Sequence, residues 1–305
     1  MTRYIVKRIG YGALTLFLVA TITFWLMQLV PGGPFQSEKA KSEATMAALE
    51  EKYGLDKPLH IQYKNYMFNL LKGDLGLSTK QRGRTVNDII GDAFPVSAKI
   101  GGIAILTALC VGIPLGSIAA LNRGKWIDNL IIVLSTTGIA IPSFITATTL
   151  MYVFSVKLGW LPSYWKGDAA SFVLPVIALA FYPSAYISRL VRSSVLDVLG
   201  QDYMVTARAK GLSQFIRLFK HALRNAILPV VTYLGPAIAS TLTGSFVVEK
   251  ILTIPGMGGE FVSSITDRDY PLIMGTAFFF AAFLIVMNVI VDIVYKIIDP
   301  RIKLN

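Results

Sequence analysis

The sequence predicts an all-α polytopic membrane protein of six transmembrane helices, with one sizeable loop region after the first. Three observations carry this. Hydrophobic residues fill 54% of the 305 positions and charged residues only 15%, with a mean hydropathy of +0.58; a soluble domain carries roughly 25% charge. Apolar runs long enough to cross a hydrocarbon core of ~30 Å recur along the chain. The Lys and Arg residues fall unevenly between alternate connecting segments.

The first apolar run, Ile9 to Val30, follows Arg3, Lys7 and Arg8. A signal peptide has an apolar region of about 7–15 residues. This run is longer and ends at Pro31-Gly32-Gly33-Pro34 without a small-residue cleavage site, so it reads as a retained span within an N-terminal segment 1–31. Further spans are expected at 95–121, 129–156, 172–190, 227–248 and 272–297. The third contains Gly138 and Pro142, and a bend is expected there. Six spans put both termini on one side.

The net charge is +11. One face collects 15 of the 29 bases (Arg3, Lys7, Arg8, Arg123, Lys125, Arg189, Arg192, Arg208, Lys210, Arg217, Lys220, Arg224, Lys296, Arg301 and Lys303) against 5 of the 18 acids (Asp128, Asp197, Asp202, Asp292 and Asp299). The positive-inside rule makes that face cytoplasmic. Topology setting accounts for the charge, and no nucleic-acid partner is called for. Cys110 is the single cysteine and cannot form an internal disulfide.

The loop 32–94 is then extracytoplasmic. Glu43 to Tyr53 reads as a short helix stopped by Gly54. Asp56 before Pro58 signals a second helix start; Leu59, Tyr63, Tyr66, Met67 and Leu70 mark its face and Gly73 its end. Thr85 and Asp88 form a capping-box pattern leading into the second span. About 60 residues without cysteine make a poor independent domain; the loop packs on its own spans or receives an extracytoplasmic partner. In the loop 157–171, Trp160 and Trp165 read as interfacial anchors. The last outer loop, Glu249 to Pro271, reads as a re-entrant turn or loop, with Asp267, Arg268 and Asp269 as a solvated cluster.

No phosphate-binding G-x-x-x-x-G-K-[ST] motif and no H-E-x-x-H occur. His60 and His221 fall on opposite sides, and no nucleophile–base set stands out. No cofactor or metal site is expected on this chain, and no catalysis. The span middles carry almost no ionisable residues; Lys99 and Asp292 lie toward span ends. Self-powered carriers need intramembrane carboxylates or broken-helix ion sites. That shortage points to energy entering from a partner through the cytoplasmic face, with a self-powered secondary carrier as the lesser alternative.

The segment Asp197 to Pro229 is where such a partner would act. It is polar and basic between two apolar runs, and from Leu212 its apolar residues fall at Leu212, Phe215, Ile216, Phe219 and Leu223, one helical face. Gly211 supplies a corner between two short helices, the second amphipathic and held at the membrane surface. Such a face needs lipid headgroups, the rest of the protein, or another protein's groove.

This segment, D-Y-M-V-T-A-R-A-K-G-L followed by H-A-L-R-N-A-I-L-P, resembles the cytoplasmic EAA loop of permease subunits of binding-protein-dependent ABC importers, in their peptide and nickel branch. P-G-G-P-F at 31–35, Y-G-L-D-K-P-L at 53–59, V-N-D-I-I at 86–90, F-P-V-S-A-K at 94–99, G-P-A at 235–237, T-G-S-F-V-V-E at 243–249, R-D-Y at 268–270 and I-D-P-R-I-K at 298–303 extend the resemblance to essentially the whole chain, toward the B-type permease of oligopeptide importers. One departure stands out: the glutamate position of the loop, counted back from Gly211, is Val205, followed by Thr206 and Ala207, and Asp202 is the nearest carboxylate. Recognition through small and apolar residues is therefore expected in place of a charge pair there.

The resemblance implies the type I ABC importer permease fold, with a five-helix permease core 95–305 containing a coupling loop 191–226. Asp202, Ala207, Arg208, Lys210, Gly211, Leu212, Phe215, Ile216, Phe219, His221 and Pro229 would form the ATPase-coupling surface. It also implies a second homologous permease, two ABC ATPases holding ATP and Mg, an extracytoplasmic peptide-binding protein, a bacterial inner membrane, and alternating-access uptake of oligopeptides. Dipeptides, nickel or glutathione are the same-branch alternatives. A peptide must cross by a wet cavity, because each unpaired backbone group in lipid costs several kcal/mol. Six helices are few to enclose one, so the lumen is expected between two subunits. The small polar strip Thr232, Ser240, Thr241, Thr243, Gly244 and Ser245 on the fifth span is its candidate lining, helix packing being the alternative.

Overall fold

Helices make up every long element of the computed structural model, which describes residues 2–31, 33, 35 and 43–298. Gly32 and Pro34, the I-D-P-R-I-K segment from 299 onward, and the charged side chains of Arg3, Lys296, Asp299, Arg301 and Lys303 lie outside the described residues. In order the helices are α1 (Thr2–Leu29), α2 (Glu43–Tyr53), α3 (Leu59–Leu71), α4 (Val86–Leu121), α5 (Trp126–Ala140), α6 (Ser143–Leu150, continued by a π-helical stretch Met151–Lys157) and α7 (Ala169–Leu199). There follow α8 (Asp202–Ala209), α9 (Gln214–Ile216), a π-helical stretch Arg217–Ala222, α10 (Leu223–Ala226), α11 (Leu228–Leu242), α12 (Phe246–Ile251), α13 (Met257–Asp267) and α14 (Tyr270–Ile298).

Among the described residues, five stretches are long and apolar enough to cross a membrane: Lys7–Leu29, Val86–Leu121, Ala169–Leu199, Leu228–Ile251 and Tyr270–Val294. The third predicted span is a broken pair, Trp126–Ala140 and Ser143–Lys157, bent by 101°. The bend expected at Pro142 is thus a full break. A residue before proline is pushed out of the α region; Ile141 is extended (φ −82°, ψ 120°) and Pro142 caps α6 at φ −59°, ψ 142°.

The chain divides into two compact units, Met1–Val96 with Pro255–Ile285, and Ser97–Ile254 with Val286–Asn305. In the first unit α2 and α3 run as the sequence predicts, and Gly54 (φ +67°) and Gly73 (φ +75°) take the left-handed conformations that end them. The face predicted for α3 meets α1. Tyr63 and Tyr66 lie 5.3 and 5.7 Å from Phe24, ring centroid to centroid, and the Tyr63 and Thr21 hydroxyls share a 2.9 Å hydrogen bond. Burial pushes the Tyr66 hydroxyl up to about 12, so it stays neutral at physiological pH. The predicted capping box is present: Asp88 N–H donates to Thr85 Oγ1 at 3.1 Å and Thr85 N–H to Asp88 Oδ2 at 3.2 Å. It starts α4 at Val86, ahead of the expected span limit at 95.

Two expectations for residues 249–271 need correction. The stretch is mostly helical, in α12 and α13, because Gly256 serves as the N-cap of α13 and Arg268, at φ +60°, as its left-handed C-cap. Asp269 is also no part of a solvated cluster. It is 1% exposed, and its carboxylate accepts from the Ser78 hydroxyl, from Thr79 N–H and Oγ1 (both 3.1 Å) and from Leu272 N–H at the start of α14 (3.4 Å). A buried carboxylate survives only with such a set of donors; here one aspartate pins the 78–79 turn to a helix N-terminus.

In the second unit α4 and α7 approach until no side chain fits between them. A Cβ on Gly112 would lie 2.8 Å from the Ser184 carbonyl oxygen, and one on Gly116 would strike that of Ser188. Small residues four apart allow this contact in lipid, where dispersion and not hydrophobicity holds helices together. The core beside it joins Ala104 and Ala108 of α4, Ile187, Val191 and Val195 of α7, and Met204, Leu218, Ala222 and Ala226 of the basic segment.

Candidate functional site

The segment 200–227 is a helical hairpin whose corner is a Schellman motif. Leu212 N–H donates to the Ala207 carbonyl at 3.3 Å, and Gly211 N–H to that of Arg208 at 3.0 Å. The motif needs a left-handed residue after the C-cap, and Gly211 supplies φ +76°. Ser213 caps the next helix, accepting from Ile216 N–H at 3.4 Å. Asn225 Nδ2 donates to the Tyr203 hydroxyl at 2.8 Å and ties the two arms. Because α7 continues to Leu199, residues 191–199 are an unbroken extension of that helix.

The two faces of the second arm have opposite fates. Leu218, Ala222 and Ala226 are buried against the core. Phe215 and Phe219 are 68% and 53% exposed, with ring centroids 4.4 Å apart, and Ile216 stands beside them. The sequence finds the apolar stripe but not its direction, and the reason is local. The stretch Arg217–Ala222 is π-helical, which slips the 3.6-residue phase and sends the two apolar sets to different sides. Of the other coupling-surface residues, Asp202, Arg208, Lys210, Gly211 and Pro229 are exposed, Leu212 and His221 half-buried, and Ala207 buried. The hairpin presents a knob of aromatic and aliphatic carbon on a basic, rigidly packed base.

A second feature lies at the break in the third span. A cavity of about 390 Å3 is lined by Ile141, Pro142 and Ser143 at the break, Tyr182 and Pro183 of α7, and Tyr233, Ser240, Thr241 and Ser245 of the fifth span. It gathers three residues of the predicted polar strip. The other three do not line it: Thr232 and Thr243 hydrogen-bond to carbonyls of their own helix (Leu228, 3.2 Å; Ala239, 2.9 Å), and Gly244 is buried. Gly244 is at φ +92°, and a Cβ there would strike the Glu249 carboxylate. Glu249, 2% exposed, accepts from the Ser97 hydroxyl at 2.7 Å.

Tyr182 and Tyr233 line the cleft without belonging to the predicted strip. Tyr182 and Tyr186 stack at 6.1 Å and Tyr186 meets Tyr233 at 4.4 Å. Tyrosines four apart beside Pro183 in an apolar span were the available signal, since a phenol inside lipid wants a polar partner or water. Glu249, expected at the edge of the last outer loop, is carried by helix α12 into the packed unit.

The comparisons with known proteins agree with this geometry. A family described as binding-protein-dependent transport system inner membrane component matches residues 112–304, and its N-terminal counterpart matches residues 1–101. The chain is 48% identical over 305 residues to the dipeptide transport system permease protein DppB of Bacillus subtilis (strain 168), covering 100% of this chain and 99% of that one. It is 44% identical to the oligopeptide transport system permease protein OppB of Haemophilus influenzae, covering 99% and 100%. Among solved structures, the inward-facing MetNI methionine ABC transporter in its CY5 native crystal form superposes on 70% of this chain and 97% of its own, with a TM-score of 0.52 and 16% identity, a likeness of fold. Two family models that together span nearly the whole sequence, and full-length identity above 40%, lead to one conclusion: the chain belongs to the family of binding-protein-dependent transport system inner membrane components.

Proposed function

We propose that this chain is the membrane-spanning permease subunit of an ATP-driven importer of short peptides. The observation that carries the reading is the exposed Phe215–Phe219 pair on a hairpin whose opposite face is built into the helical core. An apolar knob on a rigid base suits a groove on a soluble partner, and two chains of 44–48% identity are named as oligopeptide and dipeptide permeases. In this reading the hairpin and both termini are cytoplasmic. Two ATPase subunits holding ATP and Mg dock on the hairpins of this chain and of a second, homologous permease. An extracytoplasmic peptide-binding protein delivers the cargo. The chain itself binds no nucleotide and catalyses nothing.

Alternating access follows from the rigidity of the hairpin. Closure of the ATPases draws the two hairpins together; Leu218, Ala222 and Ala226 transmit the displacement to α7, and the spans open outward to receive peptide. Hydrolysis resets them. The cavity at the 101° break, with its hydroxyls and tyrosines, offers polar partners to a peptide backbone on its way through. The test is reconstitution of the complete importer in liposomes with labelled tri- and pentapeptides. ATP-dependent uptake should be seen, and replacing Phe215 and Phe219 together by Ala should remove it while the chain still inserts. Uptake by the purified chain alone along an ion gradient overturns the reading.

A further inference from the structure

A second cavity, of about 170 Å3, opens between α5 and α7, and neither the coupling hairpin nor the cleft at the break uses it. Its lining combines Ser135, Thr136, Ser188, Arg189 and Arg192 with the apolar wall of Ile132. Ser188 is 1% exposed and its hydroxyl has no hydrogen-bond partner among the described residues. An orphaned buried hydroxyl is costly unless something absent from the bare chain pairs with it. Arg189 is exposed and, among the described residues, makes no hydrogen bond or ion pair. Arg192 differs: its Nε and Nη2 are committed to Asp128 at 2.6 and 2.8 Å, which leaves Nη1 to turn elsewhere. Asp128 cancels one of the two guanidinium charges, and the cavity keeps an excess of positive charge with hydroxyl donors around it.

The surroundings say what kind of anion belongs there. The Asp128–Arg192 pair stands at the start of α5, beside Arg123 and Lys125 in the preceding turn, at the base-rich end of the helices. Arg189 precedes Arg192 on α7 by about one helical turn. Beyond the cavity the outer face of α5 is apolar, with Val133 61% and Leu134 58% exposed. A cationic, hydroxyl-lined pocket beside exposed apolar carbon fits an amphiphile whose head is an oxyanion and whose body is hydrocarbon. A basic pocket between spans at the cytoplasmic end is also where anionic headgroups are bound. Free phosphate would have no use for the apolar wall.

We propose that the cavity between α5 and α7 binds the phosphate of an anionic phospholipid, held by Arg189 and Arg192 with the Ser188 hydroxyl completing the set. The assignment to the cytoplasmic leaflet rests on the orientation proposed above; the site itself does not. Native mass spectrometry of the full-length chain in mild detergent tests it, comparing phosphatidylglycerol with phosphatidylcholine of the same acyl chains. The wild-type chain should prefer phosphatidylglycerol. Arg189→Gln should lower its affinity about tenfold, the loss expected for one charge-assisted hydrogen bond, and Ser188→Ala about fivefold. Arg189→Lys should retain part of the preference, since it keeps charge without the planar fork. Lys64→Gln on α3 should leave it intact. The proposal is overturned by a preference unchanged in both Arg189→Gln and Ser188→Ala. Equal loss in Lys64→Gln, or displacement of the lipid by millimolar inorganic phosphate, overturns it as well.

Discussion

Asp128 on α5 and Arg192 on α7 meet as a two-point fork, Nε to Oδ1 at 2.6 Å and Nη2 to Oδ2 at 2.8 Å, with Gly124 N–H donating to the same carboxylate at 2.9 Å. The carboxylate is 2% exposed and the guanidinium side chain 25%. The two partners are therefore unequal when orphaned. Arg192→Ala leaves a sealed, unpaired anion and should destabilise the chain by about 3–5 kcal/mol. Asp128→Asn leaves a cation that can reach the interface and should cost less, about 1.5–3 kcal/mol. Thermal unfolding in detergent, followed by fluorescence, reads the order of the two.

Gly211 is demanded by its backbone and not by a neighbour: no described residue lies within 4 Å of where its Cβ would be, while its φ is +76°. A left-handed conformation costs an L-residue roughly 1–2 kcal/mol, most for β-branched side chains and least for Asn. In a reconstituted importer, Gly211→Val should lower coupled ATPase activity and uptake while insertion persists. Gly211→Asn should keep most of both. If the two variants are equally impaired, added bulk at the corner is responsible and the backbone account fails.

The cleft at the 101° break should hold water, since hydroxyls and phenols line it. In a Cys110→Ala background, Ser240→Cys and Ser245→Cys should react with a water-soluble maleimide, because only a hydrated thiol ionises readily. Val286→Cys, on α14 at 52% exposure, should be slow, because its surroundings are lipid or detergent. Comparable rates at all three positions would contradict a wet cleft.

Asp168 caps α7, accepting from both the N–H and the hydroxyl of Ser171, and these bonds hold its carboxyl below the usual carboxylate range. A depressed folded-state pKa contributes stability above the unfolded value, and that contribution is lost as pH falls through the folded value. Asp168→Ala should therefore lower the unfolding temperature by a constant amount at neutral and mildly acid pH. The two proteins should converge only as pH drops below about 4, the ordinary carboxylate pKa. A difference that grows on acidification would reverse the sign of this account.

Local chemistry was legible in the sequence; tertiary burial was not. The capping box at Thr85 and Asp88, the stop at Gly54 and the corner at Gly211 each depend on a few neighbouring residues, and each appears where the pattern puts it. Asp269 looked solvated because its donors, Ser78 and Thr79, lie some 190 residues away in sequence. The helix α13 was hidden by Gly256, Gly258 and Gly259, which read as loop until Gly256 is seen as a cap. The candidate coupling surface was found as a stripe, but a π-helical turn has no signature in periodicity, so which apolar residues point outward could not be read.

That π-helical stretch, Arg217–Ala222, holds one residue more than an α-helical path between the same ends would need. Loss of any single residue inside it would let the ladder close in regular fashion. Because the wide turn already absorbs that residue, the segment carrying Phe215 would keep its direction relative to Ala222 and Ala226. At this point of the gene, length has slack: a one-codon deletion inside the wide turn would leave the aromatic knob aimed as it is, whereas the same deletion in a flanking α-helical turn would swing it by about 100°.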